Sequence, residues 1–125
     1  RHAMTCFRRM NPASLRKPGT AVVMAFSRTR KLVGVLACEN FGEDFSFIVV
    51  HPRWRGKRVG TALLKKALDH LGHFYARIAC DNTASLALAF SCGMVAYDVF
   101  IGRNGKPTLK LVFKKRILKH TFPLA

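Results

Sequence analysis

Acidic residues are what this sequence has least of. Only 6 Asp and Glu stand against 22 Lys and Arg in 125 residues, a formal net charge of +16. That excludes an acidic tail, and with 50% hydrophobic residues it excludes a disordered chain as well. Long apolar runs are also missing. None approaches the roughly 18 residues that a membrane-spanning helix needs. The first residues have no apolar stretch of the kind that marks a secretory leader. The expectation is a cytoplasmic protein without membrane contact. Cysteine is sparse, at Cys6, Cys38, Cys80 and Cys92. No pair forms a C-x-x-C, and no histidine stands beside them, so neither a zinc site nor a disulfide framework is expected. Three of the four lie in apolar stretches, where a free thiol serves as a small buried hydrophobe.

What remains is a basic chain of one-domain length, 1–125. Residues 1–20 read as a short extension, because Pro12, Pro18 and Gly19 leave room for at most one short element. The basic charge is spread along the chain, with the densest stretches at 53–66 and 103–119. It reads as a general solvated basic surface or as one that draws the protein toward polyanions: nucleic acid, anionic lipid or an acidic protein face. By charge alone such binding is non-specific and weakened by salt.

Residues 21–26, 31–39 and 44–51 are Val-rich or alternating apolar runs separated by short polar turns. They predict three strands in an antiparallel meander. After Gly60 the period changes. Leu63, Leu64, Ala67, Leu68 and Leu71 form one helical face opposite Lys65, Lys66 and Asp69, and Gly72 stops the helix. Residues 73–81 return to strand. Asn82 or Thr83 caps a second helix over 84–92 that is nearly all apolar and so expected to be buried, and Gly93 ends it. Two further strands, 94–101 and 108–113, flank Asn104-Gly105, a strong hairpin signal. The predicted order is β-β-β-α-β-α-β-β. The fold class is α/β in the broad, α+β sense. A strand–helix–strand unit within antiparallel pairing predicts a mixed, mostly antiparallel sheet with a right-handed crossover.

The stretch from Val50 to Leu64 carries the chemistry. It runs from an apolar strand through a basic loop holding Gly56 and Gly60 into a helix start. A helix N-terminus leaves about four amides unpaired, and these with the helix dipole favour an anion. Arg55, Lys57 and Arg58 add positive charge. The loop is neither a Walker sequence nor G-x-G-x-x-G. It reads as a phosphate cradle or as an ordinary strand-to-helix turn. Trp54 within it reads as a packing aromatic, with base stacking as the alternative.

Arg55-Gly56-Lys57-Arg58-Val59-Gly60 resembles the acetyl-CoA loop of the GNAT superfamily of N-acetyltransferases, Arg/Gln-x-x-Gly-x-Gly/Ala, with Arg58 in place of the middle glycine. The Val-His-Pro before it and Leu63-Leu64 after it are similar to that family too. A second motif agrees. Asn82, Ser85, Leu88, Ala89, Gly93 and Met94 fall at the spacing of Asn-x-x-Ala-x-x-Leu-Tyr-x-x-x-Gly-Phe. The likeness covers about residues 21–114. It implies a GNAT-like fold with the usual N-terminal strand and helix pair absent or vestigial. The acceptor site is then open or completed by a partner subunit.

The resemblance also implies acetyl-CoA as cosubstrate. Backbone groups of Ile48, Val49 and Val50 would hold the pantetheine arm. Amides from Arg55 through Gly56, Lys57, Arg58, Val59 and Gly60 to Thr61 would hold the pyrophosphate. Asn82 and Ser85 are further contacts, with helix capping as the other role for Asn82. Asp44 stands where histone-acetylating relatives carry a base carboxylate, with Glu43 beside it. Its other reading is a residue that merely opens a strand. His51 has a suitable intrinsic pKa, but a histidine before that proline is common in the family without a catalytic role. His2, His70, His73 and His120 belong to no constellation. Ala89 replaces the tyrosine that in many relatives protonates the departing thiolate.

Two functions follow as expectations. The first is an acetyl-CoA-dependent N-acetyltransferase acting on an amine, either a protein lysine or N-terminus or an amine associated with nucleic acid. The second is a non-catalytic basic module on the same scaffold that binds nucleic acid or a protein. Apolar surface left bare by the missing front elements favours a homodimer.

Overall fold

The computed structural model describes residues 14–115. A 3-10 turn at Ser14–Arg16 is the one short element of the described N-terminal residues. Then follow β1 (Ala21–Phe26), β2 (Leu32–Glu39), β3 (Phe45–Val50), α1 (Val59–Leu71), β4 (His73–Ala79), α2 (Thr83–Ser91), β5 (Val95–Ile101) and β6 (Pro107–Lys114). Order and type are those the sequence predicts, with boundaries moved by one or two residues, the ordinary uncertainty of element ends.

The strands divide into two antiparallel sheets, β1-β2-β3 and β4-β6-β5. The helical crossover from β3 to β4 produces no ladder between them, so the mixed character expected of one sheet becomes a split between two. The cause lies in the turn Asn40–Gly42 that joins β2 to β3. Phe41 stacks on His73 at the start of β4, with ring centroids 4.0 Å apart. A Cβ added to Gly42 would lie 2.1 Å from the Tyr75 carbonyl oxygen. Arg77 donates a hydrogen bond to the Glu43 carbonyl. The free edge of β4 is thus covered by residues 41–43, and β3 starts beyond them.

α1 lays Leu63, Leu64, Ala67 and Leu68 on the inner face of the first sheet, where Leu36 and Cys38 are fully buried. Burial pushes the Cys38 thiol up to about 11, so it stays neutral and inert through the physiological range. Cys80 and Cys92 are free and half-buried, and Cys6 lies outside the described residues. α2 is not buried as its composition predicts. Only Ala89 is fully enclosed, while Phe90 is 47% exposed. The helix borders the split, so it lacks a second layer to cover its far side. The outer face of the first sheet carries half-exposed Met24, Phe26, Leu32 and Val49.

Gly42→Ala is expected to lower the unfolding free energy by about 2–4 kcal/mol, because the new methyl group meets a backbone carbonyl at a left-handed position. Gly56 has a φ of 78° but open space around its Cβ position. Gly56→Ala should cost only about 1 kcal/mol. Equal losses in urea titrations would show that the contact between the turn and β4 contributes nothing.

Candidate functional site

The register of each sheet decides which backbone groups face the split. The His51 amide donates to the Val33 carbonyl at 2.8 Å. By the alternation of an antiparallel ladder, odd-numbered residues of β3 bond to β2, and Ser46, Ile48 and Val50 turn their backbone groups outward. On the other side, the Cys80 amide donates to the Pro107 carbonyl at 2.8 Å and the Lys115 amide to the Gly72 carbonyl at 2.7 Å. Even-numbered residues of β4 therefore face β6, and of the outward-facing ones Tyr75 meets the turn at Gly42 while Arg77 and Ala79 border the gap.

Between these edges lies a cleft of about 610 Å3. Leu36, Leu64, Phe74 and Met94 contribute to its apolar lining, β3 and β4 to its walls, and α2 closes one side. It brings together seven of the site residues expected from sequence: Ile48, Val49, Val50, Arg55, Gly60, Asn82 and Ser85. Ala89 also lines it, so the position of the family's phenol is a methyl group on the wall. Lys57 and Arg58 do not line the cleft but stand exposed on the loop leading into α1, with Val59 and Thr61 in its first turn.

That loop has the features of an anion cradle. Arg58 precedes α1 in the left-handed conformation, φ 64° and ψ 21°, and its side chain makes no capping bond. An arginine has therefore taken the dihedrals that glycine adopts freely. The first helical bond runs from the Ala62 amide to the Arg58 carbonyl at 3.0 Å. The amides of Val59, Gly60 and Thr61 are left without helical acceptors. Arg55 is tied back to the strand end, its Nε donating to the Val50 carbonyl at 3.4 Å. A Cβ on Gly60 would meet only ordinary contacts, Leu88 at 3.5 Å and Val50 at 3.9 Å. Packing within the chain does not demand glycine there.

The other sequence candidates have structural partners. The Asn82 side chain accepts from the Ser85 amide at 3.2 Å and so caps α2. His51 Nδ1 accepts from the Arg53 amide at 3.1 Å. Trp54 lies under the Lys57 ammonium, 5.2 Å from its ring centre. His70 is exposed, and His2 and His120 fall outside the described residues. Asp44 is exposed immediately before β3 and accepts from Asn40 Nδ2 at 3.3 Å. It does not line the cleft. It lines a neighbouring basin of about 790 Å3 that shares Arg77 and Ala79 with the cleft. Arg77 is the residue that sequence reasoning missed. Its one signal was a solitary cation within an otherwise apolar strand.

The cleft is thus bounded by the free edges of two separate sheets, with the start of α1 at its mouth. The sequence profile described as "Acetyltransferase (GNAT) family" matches residues 2–94, and the chain belongs to that family. Its members are acetyltransferases that use acetyl-CoA as cosubstrate. No curated protein matches the chain by sequence. Among solved structures it is similar to a GNAT-family acetyltransferase from Streptococcus pneumoniae, at 16% identity and TM-score 0.68, covering 83% of this chain and 71% of that one. It is also similar to a mutant spermidine N-acetyltransferase from Vibrio cholerae, at 15% identity and TM-score 0.66, with 82% and 69% covered. A third is a ribosomal-protein-alanine N-acetyltransferase from Escherichia coli, at 14% identity and TM-score 0.63, with 88% and 79% covered. At these identities the likeness is one of fold.

Arg58→Gly should relieve left-handed strain, partly offset by greater freedom of the unfolded chain, for a net gain of about 0.5–1 kcal/mol. A raised midpoint in thermal unfolding checks it. A lowered one would mean that the arginine side chain stabilises the loop more than its backbone conformation strains it.

Proposed function

We propose that this chain is an acetyl-CoA-dependent N-acetyltransferase that binds its cosubstrate in the cleft between β3 and β4. The observation that carries this reading is the alignment of three features along one path. Unpaired amides stand at the start of α1, a free strand edge at Ile48 and Val50, and an apolar cleft between the sheets. The amides of residues 56–61, with Arg55 and Lys57, hold the pyrophosphate. The free edge of β3 pairs with the amides of the pantetheine arm, as an added strand would. Acetyl-CoA supplies the activated acetyl thioester.

The protein's part in the chemistry is to position and polarise. A neutral amine attacks the thioester carbonyl, and a backbone N–H on the outward edge of β3 stabilises the charge that gathers on oxygen. The amine must first lose a proton. Among the described residues that line the cleft there is neither carboxylate nor imidazole, so the base comes from the basin beyond Arg77. Asp44 is the carboxylate that lines it. The departing thiolate has a pKa near that of an ordinary thiol and takes its proton from water, since Ala89 offers none.

Calorimetric titration with acetyl-CoA tests the cleft. Binding by the wild type, weakened about a hundredfold by Arg55→Glu with Gly60→Asp, is the expected result, since a charge-assisted contact is lost and two repulsive carboxylates are gained. No binding by the wild type overturns the reading and returns the fold to a non-catalytic basic module. Asp44→Asn should lower kcat about a hundredfold while leaving acetyl-CoA affinity unchanged. An unaltered kcat would make Asp44 no more than the residue that opens β3.

A further inference from the structure

The basin next to the cleft has a charge pattern that the cosubstrate does not explain. Arg77 on β4 stands directly opposite Lys110 on β6. Like charges facing across strands repel, and a sheet ordinarily places an anion or a neutral residue there. Arg103 joins them from the β5–β6 hairpin. No carboxylate lies within 4 Å of any of the three among the described residues, whose two ion pairs are Lys106–Asp81 and Lys115–Asp69. Asp98 stands beside Lys110 in register on β5, but its carboxylate is turned to the Val99 amide at 2.8 Å. Arg77 has instead a backbone carbonyl, that of Glu43, and Lys110 lies over the Phe100 ring at 5.4 Å. The basin therefore holds three cations without acidic partners and a single carboxylate, Asp44.

From this we infer that the acceptor is the amino group of an acidic peptide. The inference rests on the reading of the cleft as an acetyl-CoA site, because Arg77 and Ala79 border both spaces and an amine in the basin faces the thioester there. Asp44 attracts the amine as it arrives protonated and then takes its proton. The cations receive carboxylates one or more residues further along the peptide. A polyamine has the wrong sign for Arg77, Lys110 and Arg103, and like charge repels it. A nucleic acid has the right sign, but the amines of its own bases are weak nucleophiles. The exocyclic amines of its bases delocalise their lone pairs into the ring, whereas a peptide carries an aliphatic amine beside its acids.

In the transfer, the amine nitrogen forms a bond to the acetyl carbon and the carbon–sulfur bond breaks. The ammonium gives one proton to Asp44 and on to water before attack, the nitrogen loses a second to water as the adduct collapses, and water protonates the departing thiolate. No oxidant or reductant is involved.

The test is a product assay by mass spectrometry with acetyl-CoA and four acceptors at equal concentration. These are a hexapeptide with a free N-terminus followed by Asp and Glu, its Asn and Gln counterpart, its Lys counterpart, and spermidine. kcat/KM for the acidic peptide should exceed that for the amide peptide about tenfold, the effect of a few exposed charge pairs, and should fall as salt is added. Arg103→Glu and, separately, Lys110→Gln should shrink that ratio toward one. Acetyl-CoA titrations of the same variants check that they fold. A preference for spermidine or the Lys peptide overturns the inference while leaving the cleft intact. So does acetyl-CoA binding with no preference for the acidic peptide in either turnover or fluorescence anisotropy. Displacement of the labelled acidic peptide by a short single-stranded oligonucleotide of higher affinity also overturns it, in favour of a nucleic-acid surface. Absence of acetyl-CoA binding is a failure of the cleft itself, and the titration separates the two.

Discussion

The hydrogen-bonding edge of β4 is taken by a turn, and the rest of the site depends on that. Backbone amides and carbonyls must find partners or water, and a strand left with a free edge next to another free edge ordinarily closes the gap. Here residues 41–43 occupy the beginning of the β4 edge through a ring stack, a close backbone contact and the Arg77 hydrogen bond. β3 is held off, and from there the two sheets diverge. The open edges then supply what a narrow polar ligand arm requires, unpaired backbone groups on one side and apolar side chains on the other. The helix that follows β3 starts at the mouth of the same gap, so its unpaired amides point toward whatever enters.

The electrostatics divide along the same line. Arg55 of the loop before α1 lines the cleft, Lys110 and Arg103 line the basin, and Arg77 borders both. The excess of 22 basic over 6 acidic residues is thus not one uniform field. Among the described residues the two ion pairs, Lys106–Asp81 and Lys115–Asp69, lie outside the residues lining the cleft and the basin. Lys115 holds the fully exposed Asp69 carboxyl below the usual range, and Lys106 does the same for Asp81. Such groups favour the folded state above the ordinary carboxylate pKa, and that contribution fades as pH falls through their lowered values.

Much of the fold was legible because it is local. The three strands of the meander, the Leu63–Leu64–Ala67–Leu68 face and the Asn104-Gly105 hairpin each follow from spacing within a dozen residues. The left-handed turn before α1 and the helix start at Val59 lie within one contiguous loop, which is why the sequence could point to that stretch. The split itself was not. It depends on Gly42 meeting Tyr75 and Arg77 meeting Glu43, contacts between segments some thirty residues apart with no periodic signal. α2 was misjudged because an apolar composition says that a helix avoids water but not how many sides have something to pack against. Arg77 and Lys110 looked unrelated in the sequence, and only the β4–β6 register sets them side by side.

The contact at Gly42 is between main-chain atoms and a neighbouring carbonyl, so at that point the spacing is fixed by backbone rather than by a side chain. Wall residues other than Arg77, which also ties down the turn, can then change without moving that contact. A gauge made partly of backbone lets a scaffold keep one opening while the side chains around it change.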